Sequence, residues 1–124
     1  MKKLVSLVLA IALCAVCTGC TKQDSVKISR GTVDAAEVNA RRLAELALQY
    51  RASAVILAHN HPGGIALPSR EDIQATENIV RALGLVHVLL RDHIILTETE
   101  YFSMREENRL PFYDLATGEM LRPY

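Results

Sequence analysis

Apolar and polar positions along the chain change period several times, and each change marks an element. After the basic start Met1-Lys2-Lys3, residues 4–17 form an apolar run without a charge. Val26-Lys27-Ile28 alternates apolar and polar like the end of a strand, and Gly31 breaks it. Over residues 39–50, Leu43, Leu46, Ala47 and Tyr50 recur at helical spacing opposite Arg41, Arg42 and Glu45, which predicts an amphipathic helix with a solvated charged face. Residues 54–58 are continuously apolar and rich in β-branched side chains, which predicts a buried central strand. A Pro- and Gly-rich loop over residues 61–68 follows. Ser69 and Asp72 then have the spacing of a capping box, and Ile73, Thr76, Ile79, Val80 and Leu83 share one face of the helix they open. Gly84 is placed as its C-terminal stop. Residues 86–90 and 93–97 predict two strands and residues 101–103 a third. The tail from residue 108 onward carries turn signals at Pro111 and Thr117-Gly118 but no periodic element. Strands and helices in alternation argue for an α/β fold.

The opening segment has a second reading. A basic start, a short apolar run and the small-residue site Thr18-Gly19-Cys20 describe a secretory signal. Gly19-Cys20 resembles a bacterial lipobox, with Cys20 as the lipidated residue and membrane attachment as the consequence. Cys17 stands where such boxes usually have Leu. The alternative is an ordinary buried strand or helix. Cys14, Cys17 and Cys20 have the spacing of an iron–sulfur run, but a fourth ligand is missing and the surroundings are apolar. Cleavage before Cys20 would leave no cysteine pair and so no disulfide framework. The organisation expected is a leader over residues 1–20, one domain over residues 26–110 and a tail over residues 111–124.

Composition narrows the partners. A chain of 124 residues, half of them hydrophobic, supports one small core. Its formal net charge is +0, so the basic excess that usually accompanies nucleic-acid binding is absent.

The chemistry concentrates between His59 and Asp72. Two histidines two apart at the end of a strand point to the same side. Asp72 sits in the first turn of the following helix, where a loop folding back would bring its carboxylate to the two imidazoles. Two imidazoles and a carboxylate are a typical donor set for catalytic zinc, with water in the remaining position. Taken singly, each residue has a plainer role: His59 as a buried polar residue satisfied by backbone, Asp72 as the acidic member of a helix cap. The whole string on one strand–loop–helix frame is what points to a metal.

That string, His59-Asn60-His61-Pro62-Gly63-Gly64, then Pro68-Ser69 and Asp72, resembles the JAMM motif in the form used by RadC-like proteins of the JAB/MPN metallopeptidase family. The similarity extends to Gly31-Thr32-Val33-Asp34-Ala35-Ala36, to Asp92-His93-Ile94-Ile95 and to Tyr101 with Ser103, and so covers residues 28–110. The resemblance implies a cytidine-deaminase-like central sheet flanked by helices, here lacking the family's first strands. It implies that His59, His61 and Asp72 bind Zn2+, that Ser69 helps hold a developing oxyanion, and that the substrate is a peptide or protein cut at a peptide or isopeptide bond. A cytoplasmic location is also implied, against the export suggested by the leader. A fused or wrongly started reading frame would reconcile the two, and the leader would then have to fill the place of a core strand.

Three departures from the family pattern stand out. Gly63 replaces a serine, and Arg91 replaces an apolar residue before Asp92-His93. The family's general base is a glutamate on an early strand, and no acidic residue precedes Asp24 here. Glu37, the first glutamate of the chain, falls in a different part of the pattern. Two function classes follow: a zinc metallopeptidase, and a non-catalytic JAMM-fold binding module. The family's historical link to DNA repair finds no support in the neutral charge. Asp92-His93 is read as a structural pair, with orientation of a metal ligand as the alternative.

Overall fold

The computed structural model describes residues 6–17 and 20–31 by their backbone path and residues 40–123 in full. Its main sheet has five strands in the order β2-β1-β3-β4-β5, where β1 is Ser6–Cys17, β2 Cys20–Gly31, β3 Ala54–Asn60, β4 Leu89–Leu96 and β5 Tyr101–Ser103. Two helices, α1 (Ala40–Gln49) and α2 (Arg70–Leu85), belong to the same layered unit, and β6 (Phe112–Asp114) pairs with β7 (Glu119–Leu121) as a separate ribbon. This is a central sheet flanked by helices.

The uncharged run near the start of the chain is β1. It pairs antiparallel with β2 on one side and with β3 on the other, Val8 opposite His59 and Leu13 opposite Ala54. A strand bonded on both edges favours apolar residues as much as a leader does. Val26-Lys27-Ile28 lies within β2. Residues 32–39, including Glu37 and most of the Gly31–Ala36 string, lie outside the described residues.

One core joins these elements. Leu43 and Ala47 of α1, Ile79, Val80 and Leu83 of α2, Val55 and Leu57 of β3, and Leu90 of β4 form a single buried cluster. The charged face of α1 is solvated, with Arg41 and Arg42 both on Glu45. Tyr50, expected on the buried face, instead lies past the helix end and is exposed.

Three expectations change. The two strands expected over residues 86–97 are one strand, β4, containing a bulge. Its parallel partner register runs Val55 to Leu90 and then Ile56 to Asp92, so Arg91 is the unpaired extra residue and is exposed. A bulge shifts the alternation by one. Leu90 faces the core before it, and His93 and Ile95 are buried after it. Arg91 therefore occupies a solvent-facing position that tolerates a cation.

Gly84 is not the helix stop. Helix α2 runs on to Leu85, and His87 takes the left-handed conformation (φ 58), with its N–H donating to the Gly84 carbonyl at 2.9 Å. The missing side chain at Gly84 serves packing: a Cβ there would lie 2.9 Å from Cδ1 of Tyr113.

The tail, to which no element was assigned, is the β6–β7 ribbon. It docks on α2 through Tyr113 and Met120, and Arg122 grips the buried Glu77 with two hydrogen bonds of 2.6 and 2.9 Å.

Candidate metal centre

The site forms where buried stripes turn polar. On β3 the stripe Val55, Leu57 ends in His59; on α2 the stripe Leu83, Ile79 ends in Thr76 and Asp72; on β4 the bulge brings His93 inward. The sheet continues one residue past β3, where the His61 N–H donates to the Leu96 carbonyl at 2.8 Å. A turn then closes with Gly64 N–H on the His61 carbonyl (3.3 Å), and Gly64 adopts φ 79, a conformation that favours glycine. This turn sends the chain back toward α2.

Helix α2 opens on a full capping box. Asp72 N–H donates to Ser69 Oγ at 3.1 Å, and Ser69 N–H donates to Asp72 Oδ2 at 2.7 Å. The cap is therefore real, and it holds the carboxylate at the positive end of the helix with both oxygens turned to the histidines. Oδ1 lies 3.0 Å from His59 Nε2 and Oδ2 lies 2.9 Å from His61 Nε2. One donor atom from each of the three residues falls within 4.8 Å of the others.

The protons decide what this cluster wants. His61 Nδ1 faces the Ile65 carbonyl at 3.1 Å, and a carbonyl only accepts, so Nδ1 carries the proton. Its Nε2 lies 2.9 Å from Asp72 Oδ2 in hydrogen-bonding alignment, so both ring nitrogens of His61 face acceptors. His59 Nε2 is buried, and its line to Oδ1 lacks the alignment of an N–H donation, which leaves it without a hydrogen-bond partner among the described residues. A buried polar atom left unpaired costs about 1–3 kcal/mol. Two imidazoles and a carboxylate thus converge, one buried imidazole nitrogen lacks a partner, and a metal ion would take one donor atom from each residue. The residues fit a metal ion. Burial alone would push the Asp72 carboxyl up, but the His59 ring when protonated and the Ser69 amide outweigh it and hold Asp72 well below the usual carboxylate range.

The structure divides the pair Asp92-His93. Asp92 is structural: its Oδ1 accepts from the His93 and Arg105 amides at 2.7 and 3.0 Å, and its Oδ2 accepts from Ser103 Oγ. His93 instead reaches into the site, with Nε2 2.8 Å from His59 Nδ1 and Nδ1 2.6 Å from Thr76 Oγ1. From sequence, His93 reads as structural and Thr76 as part of a helix face. The local signal was a histidine among the apolar residues of a strand, and its position depends on the bulge at Arg91. Burial, with the neighbouring His59, lowers the His93 pKa to about 3, so its ring is neutral near pH 7.

His61 is the most exposed of the three, its side chain 22% exposed against 7% for His59 and 11% for Asp72. It opens onto a cleft of about 560 Å³ lined by Asn60, Gly63, Gly64, Thr97 and the exposed Glu98, among others. Among the described backbone positions, the register places no Asp or Glu of the early strands opposite His59. Val8 and, beyond it, Ser29 lie across the sheet from His59. Asp24 is in register with Ala12 and so with Val55, four residues back along β3, or about 13 Å at the usual strand rise.

Comparison with known proteins agrees with this arrangement. The family described as RadC-like JAB domain matches residues 18–109. Similar proteins include a UPF0758 protein of Marinomonas sp. (strain MWYL1), 54% identical over 76 residues, which are 61% of this chain and 34% of that protein. A UPF0758 protein of Shewanella amazonensis is 46% identical over 81 residues, 65% of this chain and 36% of the relative. One from Nitrosococcus oceani is 45% identical over 84 residues, 68% and 38% respectively. The chain therefore spans little more than a third of the length of these curated relatives.

Proposed function

The chain belongs to the RadC-like JAB domain family, and from that premise we propose that it is a zinc-dependent hydrolase of peptide or isopeptide bonds, with a peptide or protein as substrate. The observation that carries the reading is the buried, unpaired His59 Nε2 facing the Asp72 carboxylate beside His61. A zinc ion held there by His59, His61 and Asp72 would acidify a coordinated water and polarise a carbonyl at its open position. The protein's own part is positional. Asp72 brings the negative charge and is held ionised by its surroundings. His61, at the rim, borders the cleft through which an extended substrate would enter. Ser69 Oγ accepts from the Asp72 amide, which leaves its hydroxyl proton free to donate toward an oxyanion forming near the metal.

A second reading rests on a specific observation. The register of β1 and β2 brings Val8 and Ser29, not a carboxylate, across from His59. If no residue outside the described ones supplies a base, general-base assistance worth about 10²–10⁴-fold is lost, and the domain would act as a metal-holding binding module. Metal analysis of protein purified without a histidine tag, beside its His61→Ala and Asp72→Ala variants, tests the site. We expect zinc at about one equivalent in the parent and none in the variants. Full metal retention in both variants would refute the assignment. We expect weak peptidase activity, and robust zinc-dependent cleavage would show that another residue supplies the base.

A further inference from the structure

Beyond the three ligands, a buried chain of hydrogen bonds runs from the backbone of α2 to the back of His59. Its direction can be derived from one end. The Asp72 carbonyl oxygen can only accept, and the Thr76 hydroxyl donates to it at 2.6 Å. That uses the one hydroxyl proton, so Thr76 Oγ1 must accept at its other short contact, 2.6 Å from His93 Nδ1. His93 therefore carries its proton on Nδ1. A neutral imidazole has a single N–H, so His93 Nε2 is an acceptor, and the group facing it at 2.8 Å, His59 Nδ1, must donate. His59 is then left with a bare Nε2 directed at the ligand position.

We propose that Thr76 and His93 are positioning residues that lock His59 into the tautomer able to bind metal through Nε2. The inference rests on the metal-site reading above. One independent feature supports this direction over its reverse. In the reverse chain, His59 would carry its proton on Nε2 and donate it to Asp72 Oδ1, and that line lacks the alignment of a donation. The reverse would also require Thr76 to donate to His93, withdrawing its proton from the Asp72 carbonyl. All three side chains of the relay are buried, with Thr76 fully so, and water is excluded as a substitute partner. His61 needs no such relay, because the Ile65 carbonyl fixes its proton on Nδ1 directly. The two ligand histidines are thus set by different devices, one from the loop and one from α2 through β4. The polar partner is helical: Thr76 lies one turn after Asp72, so the residue that supplies a ligand also supplies, through its carbonyl, the anchor of the relay.

The test uses the full-length protein, with zinc as the probe and two readouts. The first is zinc affinity by competition with a chromophoric chelator, for the parent, Thr76→Val, Thr76→Ser and His93→Leu. Thr76→Val keeps the shape and deletes the hydroxyl, and we expect it to bind zinc about 10-fold more weakly, with His93→Leu nearer 100-fold, the range seen when partners behind metal ligands are removed. Thr76→Ser should restore affinity to within about twofold of the parent, which a purely structural role for the methyl group would not explain. The second readout is the ring nitrogen spectrum of histidine in the parent, where His93 should show a protonated Nδ1 and a bare Nε2. Thr76→Val binding zinc as tightly as the parent, or His93 carrying its proton on Nε2, would overturn the inference. A parent that binds no zinc would instead overturn the metal site itself, and the relay would then be judged by the nitrogen spectrum of the metal-free protein.

Discussion

Replacing Asp72 by Asn separates the metal site from the fold that holds it. In the parent, Asp72 Oδ2 accepts the Ser69 amide and Oδ1 faces the unpaired His59 Nε2. An asparagine in the same rotamer keeps the capping acceptor through its carbonyl oxygen and turns its amide nitrogen to His59, where a lone pair awaits a donor. Satisfying a buried nitrogen recovers part of the about 1–3 kcal/mol that an unpaired group costs. Losing the negative charge at the start of α2 costs about 0.3–1 kcal/mol. In the absence of metal at pH 8 the recovered hydrogen bond offsets part of the lost charge, which the fold favours, so Asp72→Asn should lie within about 2 kcal/mol of the parent. Zinc at one hundred times its dissociation constant should stabilise the parent by about 2.7 kcal/mol and the variant not at all. Thermal melts in the presence of chelator and of zinc measure both quantities, at about 4 °C per kcal/mol for a domain of this size. A chelated variant that melts well below the parent would mean that both histidines carry two protons in the metal-free fold and need the carboxylate charge. An unchanged zinc shift would mean that Asp72 is not a ligand.

Other outcomes follow from the same geometry. Because the His93 pKa falls to about 3 in the fold from the ordinary value near 6.5, the unfolded chain binds the extra proton between those values. Stability present above pH 6.5 is then lost as pH falls, by up to about 1.4 kcal/mol per pH unit; Asp72, also lowered, acts in the same direction at more acid pH. Urea titrations of chelated protein at pH 8, 6 and 5 should show this slope and His93→Gln should flatten it, whereas an equal slope in both would refute the assignment. Gly84→Val places a side chain where even a Cβ meets Tyr113 at 2.9 Å, and should cost about 1–3 kcal/mol by overpacking; relief of that cost in a Tyr113→Ala background, read by denaturant melts, would tie it to this contact, and additive costs would break the link. Starting the chain at Cys20 removes β1 from between β2 and β3; such a protein should melt without cooperativity and lose zinc, and parental behaviour would show that β1 is dispensable.

The elements with a strong local period were legible in the sequence. The α1 and α2 faces, the apolar strand β3 and the Ser69 cap all follow from side chains adjacent along the chain, because helix and strand periods bring near neighbours in sequence to one face. The convergence of His59, His61 and Asp72 was legible for the same reason. Its three residues lie on one strand–loop–helix unit, and a capping box and a turn at Gly64 suffice to close it.

What the tertiary structure decided involves partners far apart in sequence. The opening run suits a leader or a sheet interior equally in hydropathy, and only pairing with β3 makes it β1. Whether Gly84 ends a helix or receives Tyr113 depends on a ribbon that returns from the end of the chain. His93 is brought to His59 by the parallel register of β4 and by the single extra residue at Arg91, a shift that reverses which side chains face inward. The sequence by itself determined which residues can ligate a metal, since donor chemistry and local spacing are written side by side. Which proton each imidazole carries was left to the fold, because a tautomer is set by the atom on the far side of the ring, and that atom belongs to another strand.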